Sequence, residues 1–281
     1  MPIRLIAIDL DGTLLNSQSE VSPANRAALV AATGRGIRVA VVTGRRSHAA
    51  QKYLRQIPCP VTLISSNGAR ITAADGEVLY RDFLPQHAAL DVLGATRAFR
   101  PYTAVLFDVP GRGQIVMQEC AVSEGPLGWY LAQSADYLEL VGDLEASVLT
   151  DPIQVLFGGP PTTVELVEPV IRQSSVAESV HLTWTRYLTR NVSLLDVMNR
   201  GCTKGAALAR WAQHCGILPN EVMAIGDNHN DFEMLQFAAL PVLMANSSPG
   251  LESNGWRVTL SNDQDGVAAA IESYVLVEWP P

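Results

Sequence analysis

The sequence predicts an α/β fold: a doubly wound parallel sheet into which a second, α+β domain is inserted. Three observations carry that expectation. Short apolar runs alternate with helix-like segments near the start of the chain, the pattern of βαβ units with helices on both sheet faces. Between roughly residues 84 and 191 the alternation stops. Strand-like runs cluster there, and Pro and Gly punctuate the chain, as in Gly158-Gly159-Pro160-Pro161. The alternation then resumes from residue 192 onward. The expected organisation is a core of residues 1–83 and 192–281, split by residues 84–191, and 281 residues suffice for such a pair of domains.

In order, Arg4–Ile8 is short and apolar and reads as a buried strand. Pro23–Thr33 reads as a helix, with Ser22 as its N-cap and Gly34 just past its end. Arg38–Val42 is the next strand, Ser47–Gln56 the next helix and Val61–Ser65 the third strand. Arg70–Thr72 and Val78–Arg81 flank Asp75-Gly76, a hairpin signal. In the insertion, Thr103–Val109, Gln114–Met117, Ile153–Phe157 and His181–Arg186 are strand-like, while Ala88–Phe99, Leu127–Ala135 and Thr163–Ser174 are helix-like. The α/β rhythm returns with strand Val192–Val197, helix Lys204–Cys215, strand Glu221–Ile225 and helix Asp231–Phe237. Strand Pro241–Met244, a short helix Pro249–Ser253, strand Arg257–Leu260 and helix Gly266–Val275 complete it.

The composition, 48% hydrophobic and 17% charged, is that of a globular protein with a sizeable core. The net charge is −8 and no Lys/Arg cluster is present, which argues against a nucleic-acid partner. No apolar run approaches the length of a membrane span, and the chain enters a strand at once instead of through a signal peptide, so neither a membrane partner nor export is expected. Cys59, Cys120, Cys202 and Cys215 lack metal-ligand spacing and fit a reducing cytoplasm as unpaired thiols.

The most informative string is Asp9-Leu10-Asp11-Gly12-Thr13, directly after the apolar run Leu5–Ile8. Ligands of open parallel sheets sit beyond the carboxyl ends of the strands, so two carboxylates are delivered to the place where such folds do chemistry. Close carboxylates repel unless a cation lies between them or one holds a proton, an arrangement suited to Mg²⁺ and to nucleophilic attack by a carboxylate. An isolated Asp-Gly would mark only a turn. Thr43-Gly44-Arg45 follows Val39–Val42. A hydroxyl and N–H groups at a helix entrance bind anionic oxygen, although Thr-Gly alone is also an ordinary strand-to-helix turn. Lys204 opens an Ala-rich helix, where its charge opposes the macrodipole. That points to a phosphoryl group or carboxylate as its partner, with a solvated surface lysine as the alternative. Gly226-Asp227-Asn228-His229-Asn230-Asp231 places two acids four residues apart, which completes a hard-cation site or, more simply, an Asp-rich capping loop. His229 reads as a solvent-facing loop residue, with a substrate contact as the alternative.

Taken together, acids, Thr, Lys and acids in this order resemble the four motifs of the haloacid dehalogenase superfamily of phosphohydrolases. Ser66-Asn67-Gly68-Ala69, the insertion after it and Ser261–Val267 resemble the Cof-type branch, whose inserted cap is of type IIB (C2B) on a Rossmann-like core. The resemblance implies an Mg²⁺-dependent phosphatase acting on small phosphate monoesters such as sugar phosphates. Asp9 would be the nucleophile, Asp11 the general acid/base, and Thr43 and Lys204 the groups that hold the transferring phosphoryl. Leu10, Gly44, Arg45 and Asn230 would surround the phosphate. Asp9, the Asp11 backbone carbonyl and Asp227 would ligate the metal, with Asp231 behind them. A small phosphorylated molecule is the expected partner, and a monomer or homodimer the expected state.

Met244-Ala245-Asn246-Ser247 departs from the family string at two positions, and Arg46 adds a second basic residue after Arg45. In the cap, Trp129, Tyr130, Trp184, Arg186 and Tyr187 are candidates for a sugar or ring contact, against the simpler reading that they are core. A phosphotransferase or sugar phosphomutase on the same scaffold remains an alternative, as does a non-catalytic phospholigand-binding protein. A receiver domain has no use for the large insertion.

Overall fold

The computed structural model describes residues 2–119, 134–187 and 191–277. The chain divides into two compact units, Met1–Arg81 with Thr203–Pro281, and Asp82–Cys202.

In the first unit the strands are β1 (Leu5–Asp9), β2 (Arg38–Val42), β3 (Thr62–Ser65), β4 (Arg70–Thr72) and β5 (Val78–Arg81). Its helices up to that point are α1 (Pro23–Gly34) and α2 (Ser47–Leu54). The same unit later holds β12 (Val222–Gly226), β13 (Leu240–Leu243) and β14 (Arg257–Val258). They form one eight-stranded sheet in the order β14-β13-β12-β1-β2-β3-β4-β5. Pairing is parallel from β14 to β3, and β4 and β5 extend it as an antiparallel hairpin.

The apolar runs arise because both sheet faces are covered. In β1, Ile6 and Ile8 join one core with α1, α2 and the C-terminal helix Gly266–Tyr274. Leu5 and Ala7 join the opposite core with helices Lys204–His214 and Phe232–Phe237. β2 and β12 alternate in the same way, so the period of two is present but both phases are apolar. Ser22 caps α1 by accepting from the Asn25 N–H. The helix runs through Gly34, and the left-handed residue that ends the connection is Gly36.

The second unit holds β6 (Thr103–Leu106), β7 (Ile115–Gln118), β8 (Leu138–Val141), β9 (Gln154–Gly159), β10 (Val180–Tyr187) and β11 (Val192–Asn199), with helices Gln86–Ala95, Pro161–Val164 and Val167–Arg172. Its sheet order is β10-β11-β9-β6-β7-β8, antiparallel except for the parallel pair β7–β8. The helices cover one face through Leu84, Val92, Phe157, Val164, Ile171 and Leu195.

Three sequence expectations change here. Val192–Val197 was placed in the parallel core, but it is antiparallel to β10 and β9 in the second sheet, so the chain returns to the first unit at Thr203 and not at residue 192. Thr163–Ser174 is not one helix: it breaks between Val164 and Val167. β8 is an additional strand, half-exposed and containing Glu139, which masked its apolar signal. Trp184 donates from its indole N–H to Glu168 (2.8 Å) and packs on the helical side of its own unit, while Arg186 lies 5.3 Å from the Trp184 ring centre. These two candidates therefore have structural settings. Trp129, Tyr130, Cys120 and most of the expected helix Leu127–Ala135 lie outside the described residues.

Candidate active site

The parallel register sets the site. Asp9 is level with Val42, and Ile8 with Ile225, so the loops after β1, β2, β3 and β12 leave one rim of the sheet together. After Asp9 the chain turns through Gly12 at φ 81°. A side-chain carbon there would fall 2.5 Å from Asp227 Oδ2, so glycine both permits the turn and lets the fourth-motif loop approach. Thr13 fastens that approach by donating its hydroxyl to Asp227 Oδ1 (2.8 Å).

Helix Lys204–His214 is capped by Thr203, whose hydroxyl accepts from the Ala206 N–H. This carries Lys204 into the rim. Lys204 is only 1% exposed and reaches Asp9 Oδ1 (2.5 Å) and Asp231 Oδ1 (2.6 Å). Its burial excludes the reading of a solvated lysine. Asp231 Oδ2 accepts from the N–H groups of Asp227 and Asn228, both at 3.0 Å, so Asp231 is fully engaged as a scaffold. One oxygen each of Asp9, Asp227 and Asp231 lies within 4.8 Å of the others. Oδ2 of Asp9 and Oδ2 of Asp227 accept no hydrogen bond among the described residues.

Charge tests what this cluster suits. Ionised, its three carboxylates against one ammonium leave an excess of two negative charges in a buried setting. Burial first, then repulsion from Asp231, pushes Asp9 up to about 7. Burial and the charges of Asp9 and Asp231 likewise hold Asp227 well above the ordinary carboxylate range. Burial pulls the Lys204 ammonium down, but the paired carboxylates of Asp231 and Asp9 outweigh it, so its pKa is raised and it stays charged. Hard oxygen donors with two surplus charges fit a small divalent cation, for which Asp9 and Asp227 each offer an oxygen that accepts no hydrogen bond among the described residues.

A stability prediction follows. Asp9 titrates near 3.8 when unfolded and near 7 when folded, so without metal the folded state is favoured below that window and loses the advantage as pH rises through it. Lys204 is charged throughout and does not contribute there. The Tm of EDTA-treated protein, taken relative to Asp9→Asn, is expected to fall between about pH 4 and 7, and the Tm gain on adding Mg²⁺ to grow over the same range. A gain independent of pH would contradict the metal assignment.

The remaining sequence candidates are placed as follows. Asp11 is gripped by Arg45, Nε to Oδ2 at 2.6 Å and an Nη to Oδ1 at 2.5 Å, so the Arg45 side chain is on the acid and not displayed for phosphate alone. The guanidinium also lies 4.6 Å from the Tyr53 ring centre. Thr43 is buried, and its hydroxyl oxygen accepts from the Arg45 N–H (3.1 Å). The Leu10 side chain is core, leaving only its backbone for a ligand. Asn230 is buried and donates to Asn67 Oδ1 (3.1 Å). His229 is half-buried.

The sequence assigns no role to Asn67 or Thr13, because their partners are 163 and 214 residues away along the chain. Asn246 donates to the Gly12 carbonyl (2.8 Å), Asn262 to the Leu15 carbonyl (2.9 Å), and Asp263 accepts from the Ser17 N–H (2.7 Å). The C-terminal strings therefore brace the loop that carries Asp9 and Asp11.

A doubly wound sheet with a buried lysine among paired acids at its carboxyl rim defines an α/β enzyme that handles an anionic substrate. A family model for haloacid dehalogenase-like hydrolases matches residues 6–271, and the chain belongs to that family. It is 30% identical over 289 residues to Phosphatase YwpJ of Bacillus subtilis, covering 95% of this chain and 98% of the other. It is 32% identical over 250 residues to the HMP-PP phosphatase of Serratia proteamaculans, covering 89% and 86%. A solved haloacid dehalogenase-like hydrolase from B. subtilis superposes with a TM-score of 0.80 at 26% identity, covering 96% of this chain and 99% of that one.

Proposed function

We propose that this protein is an Mg²⁺-dependent phosphatase of small phosphate monoesters, sugar phosphates or related metabolites, working through an aspartyl-phosphate on Asp9. The observation that carries the reading is the buried Lys204 held between Asp9 and Asp231, with Asp227 alongside. The phosphatase names of its relatives support hydrolysis over transfer.

In this reading a carboxylate oxygen of Asp9 attacks phosphorus, and the ester P–O bond breaks. The departing oxygen takes its proton from Asp11, which must first leave its ion pair with Arg45 and take up a proton. Lys204, the Thr43 hydroxyl, Asn230 and the backbone of Leu10, Gly44 and Arg45 hold the non-bridging oxygens. Asp11 then takes a proton from water, whose oxygen attacks the phosphoryl group and returns Asp9 as a carboxylate with inorganic phosphate released. Asp9, the Asp11 carbonyl and Asp227 would hold Mg²⁺, which would supply the positive charge that two anions need in order to meet. The unit Asp82–Cys202 is assigned substrate selectivity, as a type IIB cap. A reducing cytoplasm suits Cys59, Cys202 and Cys215, which form no disulfide among the described residues.

The test is phosphate release from a panel of sugar phosphates and p-nitrophenyl phosphate. Turnover should require Mg²⁺, vanish with EDTA and yield one phosphate per ester cleaved. Isomerised hexose phosphate without phosphate release would instead establish a mutase. Binding without turnover across the panel would favour the phospholigand-binding alternative.

A further inference from the structure

We propose that Asn67 is a positioning residue for phosphoryl transfer, fixing Asn230 against the Thr43–Arg45 loop. The inference rests on the phosphatase reading above. At the end of β3 the turn Ser66-Asn67-Gly68 is left-handed at three successive residues, with φ of 51°, 52° and 107°. Two of these carry side chains, a conformation that persists only where the surroundings enforce it and that clusters at functional sites. The enforcing contacts are visible. Ser66 N–H donates to the Arg45 carbonyl (2.8 Å) and Asn67 N–H to the Thr43 carbonyl (3.0 Å), which ties the turn to the loop after β2. The hydroxyls of Ser65 and Ser66 are buried without a partner among the described residues.

The Asn67 side chain is 0% exposed and joins two loops. Its Oδ1 accepts from Asn230 Nδ2 at 3.1 Å. A side-chain carbon at position 44 would fall 3.0 Å from the same oxygen, so the amide fills the space that Gly44 leaves. The Gly44 N–H itself has no acceptor among the described residues. One carboxamide thus sets the plane of the Asn230 amide and the position of an unused backbone donor. Both belong to loops that supply phosphate ligands in the proposed function. Asn67 acts through them and has no exposed surface of its own for a substrate.

Asn67→Gly separates this role from a structural one, because glycine adopts φ near 52° without strain and the turn should survive. Wild type, Asn67→Gly, Asn230→Ala and the double variant are compared on p-nitrophenyl phosphate with Mg²⁺, with inorganic phosphate as competitor. Asn67→Gly is expected to keep the wild-type Tm, to lose about 10- to 100-fold in kcat/KM and to weaken inhibition by phosphate. The double variant should be no worse than Asn230→Ala alone. Unchanged kcat/KM and phosphate inhibition, losses that multiply in the double variant, or a collapse in Tm of Asn67→Gly would each overturn the inference. Asp9→Asn in the same assay reports on the phosphatase reading: if it abolishes turnover while Asn67→Gly keeps the wild-type kcat/KM, only the positioning role falls, and if Asp9→Asn turns over like wild type, the phosphatase reading falls first.

Discussion

Replacing Asp9 by Asn is expected to lower kcat by on the order of 10⁴-fold or more while leaving the fold intact. The amide keeps the shape of the carboxylate and still offers an oxygen to Lys204, which retains its second partner in Asp231. What it loses is nucleophilicity: no aspartyl-phosphate forms on a neutral amide. The electrostatic balance makes the result specific. Asp9 is 4% exposed and repelled by Asp231, so removing its charge relieves a penalty in the metal-free protein. Tm of the EDTA-treated variant above pH 7 should therefore match or exceed that of wild type, with stability and activity moving apart. Turnover near the wild-type rate would remove Asp9 from the chemistry.

Lys204→Met should lose both. It deletes the single ammonium that faces Asp9 and Asp231 in a buried site, leaving both carboxylates uncompensated. Breaking a buried pair in this way costs about 3–5 kcal/mol, or roughly 5–8 °C in Tm for a chain of this size. Turnover should fall by about 10²- to 10³-fold or more, because a charge aimed at the non-bridging oxygens is gone. In the proposed site Mg²⁺ would share Asp9 with Lys204, so it should restore more Tm to Lys204→Met than it adds to wild type. Arginine is no substitute: its planar fork does not fit a 1% exposed slot shaped by an amine and two single oxygens. A Lys204→Met protein as stable as wild type without metal would show that the pair carries no such load.

Much of this was legible in the chain. β1, β2 and β12 announce themselves because each is buried on both faces, and acids or Thr at their ends fall at the one rim where such sheets bind ligands. β11 shows the limit of that logic. Val192–Val197 is buried throughout like β1, yet it lies in the antiparallel sheet, since burial sets composition and pairing direction does not. β8 was invisible for the opposite reason, its half-exposed residues diluting the signal. At the site, residue types at strand ends were readable, but their contacts were not. Arg45 looked like a phosphate ligand, and only the fold shows its guanidinium closed on Asp11, 34 residues away along the chain. The left-handed Ser66 was equally hidden, because serine carries no local preference for that conformation.

The strand that carries Asp9 has as one of its two neighbours β12, which pairs Leu5 with Val222. On the ribosome, at roughly 5–20 residues per second, that neighbour emerges roughly 10–40 s after β1. Until then β1 is an open edge with unpaired N–H and C=O groups, the kind of surface that recruits foreign strands. Residues 82–202 form an uninterrupted unit and can mature during the wait. Assembly of the surroundings of Asp9 is thereby a late event in biogenesis, and the open edge of β1 is the part of the nascent chain with most to gain from being shielded.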